Sequence, residues 1–315
     1  MRLFILLIIG LFTACQDKPP TRPPELNPDP FLIILGTLQD GGAPHVGCNK
    51  SCCIDLWAHP DPTRKVVSIG LIDPENQQSY IFEATPDFPE QIKLLKSEAP
   101  FQKSEIPNGI FLTHAHIGHY TGLMYLGKEA INTSQIPLFV MTEMQKFLTG
   151  HGPWSQLVAL ENIVLKPLDH AVPIQLTSTI TITPILVPHR DEFSETVGYR
   201  IKGPNKSALF IPDIDKWQKW PLDIIEQIQK VDYAFIDGTF FDAAEINHRS
   251  ISEIPHPFIV ESMSLFGHLT EKERNKIYFI HLNHTNPALD PDSRATEMIQ
   301  NLGYHIAAFK QKHYL

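Results

Sequence analysis

The stretch Thr113-His114-Ala115-His116-Ile117-Gly118-His119-Tyr120 decides the fold of this chain. It places three histidines in six residues, directly after an apolar run at residues 109–113 that predicts a β-strand. Neutral imidazoles are the commonest protein ligands for zinc and similar metals. Because His114 and His116 alternate along an extended loop, they can converge on one ion, while His119 points toward a neighbouring one. The alternative interpretation is a chance cluster of histidines on a solvated loop.

Three further side chains that bind metals follow apolar runs later in the sequence. His189, Asp213 and His281 each stand at the end of such a run. Taken singly, each is more often a surface residue or a hydrogen-bonded core residue than a ligand. Their shared position at the carboxyl ends of predicted strands favours one metal centre built from all of them.

The folded part of the chain is expected to be one domain over residues 31–315, with strands leading and helices mixed among the later strands. A buried strand at residues 31–35 opens it. Helices are predicted at residues 89–97, 222–230 and 293–302, and another is predicted to start near Tyr120.

The N-terminus has the pattern of an exported lipoprotein. Residues 1–14 predict a signal peptide, because their apolar run is shorter than the roughly 20 residues of a membrane span. The sequence Leu11-Phe12-Thr13-Ala14-Cys15 resembles a bacterial lipobox, which implies lipid on Cys15 after cleavage. An ordinary signal peptide with an incidental cysteine is the alternative. Residues 15–30 contain six prolines and predict an extended tether. We expect a cell-envelope protein, and Gln16 after the cysteine favours the outer membrane.

Composition limits the classes of partner. The net charge of −9 argues against a nucleic-acid-binding surface driven by bulk electrostatics. Hydrophobic residues make up 43% of the chain and charged residues 19%, so a packed core is expected. The expected partners are a small-molecule substrate and a membrane reached through the lipid anchor.

The order of these histidines and of Asp213 resembles the metallo-β-lactamase superfamily. The segment Gly36-Thr37-Leu38-Gln39-Asp40-Gly41-Gly42-Ala43-Pro44, followed by Gly47-Cys48, is similar to two of its branches. One contains the pyrroloquinoline-quinone biosynthesis protein B, and the other contains ribonuclease Z and the cyclic phosphodiesterase of phosphonate breakdown. The resemblance covers nearly all of residues 31–315. It implies an α+β fold, a four-layer αββα sandwich with metals at one edge.

The resemblance also implies roles for the ligands. One or two divalent ions are expected, zinc foremost, with manganese or iron as alternatives. Carried over residue by residue, the first ion is held by His114, His116 and His189, the second by His119 and His281, and Asp213 bridges the two.

One position departs from the family pattern. The family has Asp immediately before the third histidine, where this chain has Gly118. Loss of that ligand is expected to weaken the second site unless another carboxylate substitutes. Asp87, Asp191 and Glu192 are the candidates by position. The first site, with three histidines, is intact and suffices to activate a water near neutral pH.

Ribonuclease-Z-like enzymes use a carboxylate and a histidine to protonate the leaving group. Asp237 resembles the acidic element, and His268, in Phe266-Gly267-His268, resembles the histidine element. A buried carboxylate can fix the orientation of its histidine and keep it basic. The alternative is that Asp237 caps a turn and His268 lies on a surface loop.

The three cysteines after Cys15 suggest a second kind of metal site. By resemblance to the phosphodiesterase branch, Cys48, Cys52, Cys53 and His284 hold a structural zinc. The spacing differs from the family's, and Lys50 stands where one cysteine is expected. A disulfide from Cys48 to Cys52 or Cys53 is the competing interpretation.

Three functions fit these observations. The first is a metal-dependent hydrolase that uses metal-activated water on a phosphodiester, a cyclic phosphate or another ester. The second is a metal-dependent oxidoreductase like those of quinone-cofactor biosynthesis. The third is a non-catalytic binding protein with a degenerate second site. Metal content separates them, since fold alone does not fix chemistry.

Overall fold

The computed structural model describes residues 29–246 and 253–315. The predicted signal peptide, the predicted lipidation site Cys15 and nearly all of the predicted tether lie outside these residues. Within the described ranges, no helix is long and apolar enough to cross a bilayer.

The strands form two mixed sheets of seven strands each. The first sheet has the order β14-β1-β2-β3-β4-β5-β6 and the second the order β13-β12-β11-β10-β9-β8-β7. In chain order the strands are β1 (Phe31–Gly36), β2 (Ser68–Asp73), β3 (Gln78–Phe82), β4 (Gly109–Phe111), β5 (Ile136–Val140), β6 (Ile163–Pro167), β7 (Ile174–Gln175), β8 (Thr181–Leu186), β9 (Val197–Lys202), β10 (Ser207–Ile211), β11 (Tyr233–Asp237), β12 (Ile277–Ile280), β13 (His305–Ile306) and β14 (Lys312–Tyr314).

Helices cover the outer faces of both sheets. They are α1 (Ser51–Ala58), α2 (Phe88–Glu98), α3 (Ile117–Tyr120), α4 (Thr142–Gly150), α5 (Trp154–Ala159), α6 (Ile224–Gln229), α7 (Ile259–Leu265), α8 (Glu271–Arg274) and α9 (Arg294–Asn301). Helices α2, α6 and α9 confirm the three predicted at residues 89–97, 222–230 and 293–302. Near Tyr120, where a helix was expected to start, the α-helix α3 already begins at Ile117 and ends at Tyr120, and only a 3₁₀ helix follows at Thr121–Leu126.

The sheets pack face to face through alternate side chains of their inner faces. Phe82 and Phe111 stack with ring centroids 4.7 Å apart, and Tyr199 of the opposite sheet meets the edges of both rings. Separate apolar layers lie between each sheet and its helices. This confirms the predicted αββα sandwich.

The topology brings the candidate ligands to one edge. Strands β10, β11 and β12 are parallel, and β8 runs in the same direction because β9 is antiparallel to both β8 and β10. The carboxyl ends of these strands therefore meet at the same end of the sheet. Strand β4 of the other sheet ends beside them, where Thr113 accepts a backbone hydrogen bond from Val197.

Candidate metal centre

The first group of ligands comes from the loops after β4, β8 and β10. His114 Nε2 and His189 Nε2 lie 3.4 and 3.2 Å from Asp213 Oδ2. His116 Nδ1 lies 2.8 Å from His114 Nε2. Tetrahedral zinc with nitrogen and oxygen ligands at about 2.0–2.1 Å separates those ligands by about 3.3–3.4 Å. The two contacts with Asp213 match that spacing, so the four side chains are arranged as for a single ion.

The second group contains His119, His281 and a carboxylate from the loop after β1, Asp40. Asp40 Oδ1 lies 2.9 Å from His119 Nε2 and 3.6 Å from His281 Nε2. Asp213 Oδ2 is 3.9 Å from His119 Nε2, so Asp213 lies between the two groups. The structure thus brings together all six ligands predicted from the resemblance.

Several of these atoms point at a common space and not at one another. Within the described part of the chain, Asp40 Oδ1, His119 Nε2, His281 Nε2 and His189 Nε2 are buried without a hydrogen-bond partner. Buried polar atoms in native proteins are nearly always hydrogen-bonded, and an orphaned atom needs an explanation. A metal ion between converging lone pairs supplies one.

In each of the five histidines, the ring nitrogen that faces away from the ligand group contacts a neighbouring side chain. Such outer contacts fix the ring and leave the second nitrogen free to face a metal. The partners are Thr113 for His114 at 2.9 Å, Glu192 for His116 at 2.8 Å, Glu83 for His119 at 3.4 Å, Asp215 for His189 at 3.3 Å and Thr239 for His281 at 2.8 Å.

The backbone is strained beside the second group. Glu83 has φ 79° and His281 has φ 66°, in the left-handed region that side-chain-bearing residues rarely adopt. Each such residue costs on the order of 1–3 kcal/mol, and strain of this kind concentrates at functional sites.

The charges in the second group compensate each other. Burial alone would lower the pKa of His119, but the carboxylates of Glu83 and Asp40 outweigh it and raise that pKa well above its usual value. Burial would likewise raise the pKa of Asp40, but His119 and His281 hold it well below its ordinary range. Asp40 is therefore a carboxylate, the protonation state in which it can ligate a metal.

The predicted pairing of Asp237 with His268 is wrong. Asp237 is fully buried at the end of β11, whereas His268 is exposed beyond the end of α7. The histidine beside Asp237 is His256, whose Nδ1 lies 2.9 Å from Asp237 Oδ2 and 3.2 Å from Asp213 Oδ1. Burial lowers the pKa of His256, but the charges of Asp237 and Asp213 raise it to about 10.

The three carboxylates that were expected to replace the missing family Asp contact other groups and do not join the second group of ligands. Asp87 accepts a hydrogen bond from the backbone N–H of Val66, and Asp191 accepts one from the hydroxyl of Thr196. Glu192 reaches the rim but contacts the outer nitrogen of His116. Asp40 was missed, because a carboxylate in a glycine-rich loop is typical of a turn.

The cysteine cluster lies behind this centre. Cys48, Cys52, Cys53 and His284 place their ligand atoms within 4.8 Å of one another, and the three cysteines are free thiols. The Sγ of Cys52 lies 3.8 Å from that of Cys48 and 3.9 Å from that of Cys53. Tetrahedral zinc with Zn–S bonds of about 2.3 Å separates thiolates by about 3.8 Å. The structure does not form the alternative disulfide.

A cavity of about 430 Å³ opens beside His256. Its lining includes the cations Lys50 and Arg190 and the acidic residues Glu245 and Glu253. Glu245 is already engaged, because it accepts hydrogen bonds from the Phe241 N–H and from Thr285. Arg190 Nε lies 3.7 Å from Glu192 Oε1, and an anion in the cavity would meet this guanidinium and the Lys50 ammonium.

Comparison with known proteins agrees with this architecture. A sequence family described as Beta-lactamase superfamily domain matches residues 79–282. The Coenzyme PQQ synthesis protein B of Methylorubrum extorquens (strain PA1) is 23% identical over 294 residues, spanning 88% of this chain and 97% of that protein.

Two solved structures share the fold. That of Zn(2+)-bound PqqB from Methylobacterium extorquens has a TM-score of 0.73 at 20% identity, covering 90% of this chain and 100% of that one. That of a diphosphatase from the PhnP family has a TM-score of 0.61 at 20% identity, covering 91% and 97%. Because the family match runs over most of the sandwich and includes the metal-ligand positions from His114 to His281, this chain belongs to the metallo-β-lactamase superfamily.

Proposed function

We propose that this protein is a metal-dependent hydrolase of small phosphodiesters, cyclic phosphates or related esters. One observation carries the proposal: Asp213 joins two converging ligand groups and also contacts His256 at the mouth of the cavity. A phosphate ester bound there would meet the metal centre, a proton donor and the cations Lys50 and Arg190.

These side chains would hold divalent ions, which would supply Lewis acidity and a water activated near neutral pH. The protein's own groups do the rest. Arg190 and Lys50 bind the anion and orient it. Asp237 holds His256 protonated through Nδ1, and His256 gives a proton to the departing oxygen.

Leaving-group dependence tests this assignment. The metal-loaded protein is assayed on phosphodiesters with p-nitrophenol and with alkyl alcohols as leaving groups. We expect His256→Ala to slow alkyl-ester hydrolysis by about 10²–10⁴-fold and p-nitrophenyl ester hydrolysis far less, since p-nitrophenolate leaves without a proton. The exposed His268→Ala is the matched control and is expected to behave like wild type. Equal losses on both substrates for His256→Ala contradict the role.

A second candidate is a step in quinone-cofactor chemistry, because the similarity to Coenzyme PQQ synthesis protein B runs over nearly the full length of both chains. Bound iron in the purified protein and no turnover of any phosphate ester favour that oxidoreductase function. No metal at the histidines favours a binding protein.

We also propose a structural zinc at Cys48, Cys52, Cys53 and His284. The sulfur spacing near 3.8 Å supports it. Such a closed site would brace the loop that leads from Asp40 to α1. Cys53→Ser is expected to release one zinc and to lower the thermal midpoint. Unchanged zinc content in that variant overturns the assignment.

The lipid anchor on Cys15 and the tether at residues 15–30 stay a proposal drawn from the sequence. Cys15→Ser is expected to move the protein from the membrane fraction to the soluble fraction of the cell envelope. Unchanged membrane association of the variant argues for an ordinary signal peptide or another mode of attachment.

A further inference from the structure

The second ligand group contains a carboxylate that the superfamily pattern does not place there. Gly118 stands where the pattern has Asp, so the residue before His119 offers no ligand. Asp40, from the loop after β1, instead puts Oδ1 at 2.9 Å from His119 Nε2 and 3.6 Å from His281 Nε2.

Asp40 fills the space that a side chain at position 118 would need. A Cβ built on Gly118 would lie 2.6 Å from the Cα of Asp40 and would also collide with its carboxylate. Separations under about 3.0 Å are steric overlaps that a real Cβ does not tolerate. The Asp40 loop therefore fits only because residue 118 has no side chain. The glycine at position 118 and the carboxylate at position 40 thus depend on each other.

The loop that carries Asp40 is fixed to the strand that carries His281. Gln39 N–H donates to the Leu282 carbonyl at 2.9 Å, and Leu282 N–H donates to the Thr37 carbonyl at 2.8 Å. A third bond, from Val67 N–H to the Leu38 carbonyl at 2.8 Å, joins the loop to the segment before β2. The residues just before Asp40 are thus held by backbone bonds to two neighbouring segments, which is the preorganisation that a metal ligand requires.

The contact with His119 is not a conventional hydrogen bond. Within the described residues, Asp40 Oδ1, His119 Nε2 and His281 Nε2 are all buried without a hydrogen-bond partner despite their short separations. A carboxylate that served only to orient His119 would accept its N–H directly. The outer nitrogen of His119 already has a hydrogen-bond partner, the Thr113 hydroxyl at 3.5 Å from Nδ1, so the ring is oriented without Asp40.

We propose that Asp40 is a ligand of the second metal ion and restores the carboxylate that Gly118 omits. The centre then holds two ions, the second through Asp40, His119, His281 and the shared Asp213. This inference rests on the metal centre of the proposed function but not on its substrate.

Metal content tests the inference without using activity. Wild type, Asp40→Ala, Asp40→Asn and Gly118→Ala are equilibrated at fixed free zinc, and zinc per chain is measured by mass spectrometry. Visible absorption of the cobalt-substituted proteins reports the coordination of each site. Circular dichroism and the thermal midpoint verify folding, and Asp40→Asn keeps the side-chain shape in case Asp40→Ala misfolds.

We expect wild type to hold two active-site ions, and both Asp40 variants to lose one through a more than about 100-fold loss of affinity. Gly118→Ala is expected to lose the same ion although every ligand is intact, because its methyl group displaces Asp40. The exposed Asp169→Asn is the matched control and keeps both. Wild-type zinc content in the folded Asp40 variants overturns the inference. A second result would also overturn it: Glu192→Gln loses the second ion while Asp40→Asn keeps it. If the metal results hold but no ester is hydrolysed, only the proposed function fails.

Discussion

Two buried carboxylates, Glu83 and Asp215, contact the outer ring nitrogens of His119 and His189. Their substitution is predicted to affect the two metal sites differently. Glu83 Oε2 lies 3.4 Å from the outer nitrogen of His119, and Asp215 Oδ1 lies 3.3 Å from that of His189. Outer contacts of this kind raise the basicity of the ligating histidine, and their removal lowers metal affinity by roughly 10–100-fold. Glu83→Gln is expected to weaken only the second site, and Asp215→Asn only the first.

The surroundings of each carboxylate set the size of the effect. Glu83 is completely buried, and within the described residues neither of its oxygens has a hydrogen-bond partner, so its charge acts on His119 with little screening. Asp215 also pairs with Lys219 at 2.7 Å, which offsets part of its charge. We therefore expect a loss near 100-fold for Glu83→Gln, about 2.7 kcal/mol, and near tenfold for Asp215→Asn, about 1.4 kcal/mol.

Chelator competition measures both affinities. Each variant is titrated with zinc in the presence of a chromophoric chelator, and the two dissociation constants are fitted together. Lys219→Met is the control for Asp215, since it removes the neighbouring charge without touching the histidine, and it is expected to change the first-site affinity only slightly. A Glu83→Gln protein that binds two ions as tightly as wild type refutes the reasoning, as does one that loses affinity equally at both sites.

Three further predictions concern the stability of the sandwich, and urea unfolding measures each of them. Phe111 is fully buried between two stacked rings, so Phe111→Ala is expected to lower the free energy of unfolding by about 3–5 kcal/mol. Phe193 is 60% exposed, so Phe193→Ala is expected to lower it little. Equal losses in the two variants contradict the assignment of Phe111 to the core. Tyr199→Phe removes the hydroxyl that donates to the Leu112 carbonyl and is expected to cost about 1–3 kcal/mol; a neutral result means that this carbonyl finds another donor. Gly70→Ala puts a methyl group against side chains of β1 and α2 and is expected to cost about 1–3 kcal/mol; a stabilised variant shows that the packing there is loose.

Much of the fold was predictable because its strands are continuous apolar runs with ligands at their ends. The runs before His114, Asp213 and His281 became β4, β10 and β12 within one or two residues. Helices α1, α4, α5, α7 and α8 were not predicted. Helix α1 contains Cys52 and Cys53 and buries only Cys53, so it has no apolar period of helical spacing, and α7 follows a proline-rich segment.

The two missed site residues share a physical cause. Asp40 and His256 reach the centre from loops far from the histidine cluster in sequence, and their roles depend on tertiary contacts that no local pattern encodes. His256 stands between Pro255 and Pro257, just before α7, and the two prolines restrict the backbone of this segment. His268 lies two residues after the buried Phe266, but its own side chain is exposed to solvent.

Anomalous X-ray scattering at the zinc edge, from crystals of the purified protein, tests the central claim most directly. The account predicts two neighbouring peaks on either side of Asp213, one within bonding distance of His114, His116 and His189 and the other within bonding distance of His119, His281 and Asp40. A map without a peak among these histidines, in crystals grown with zinc, contradicts it.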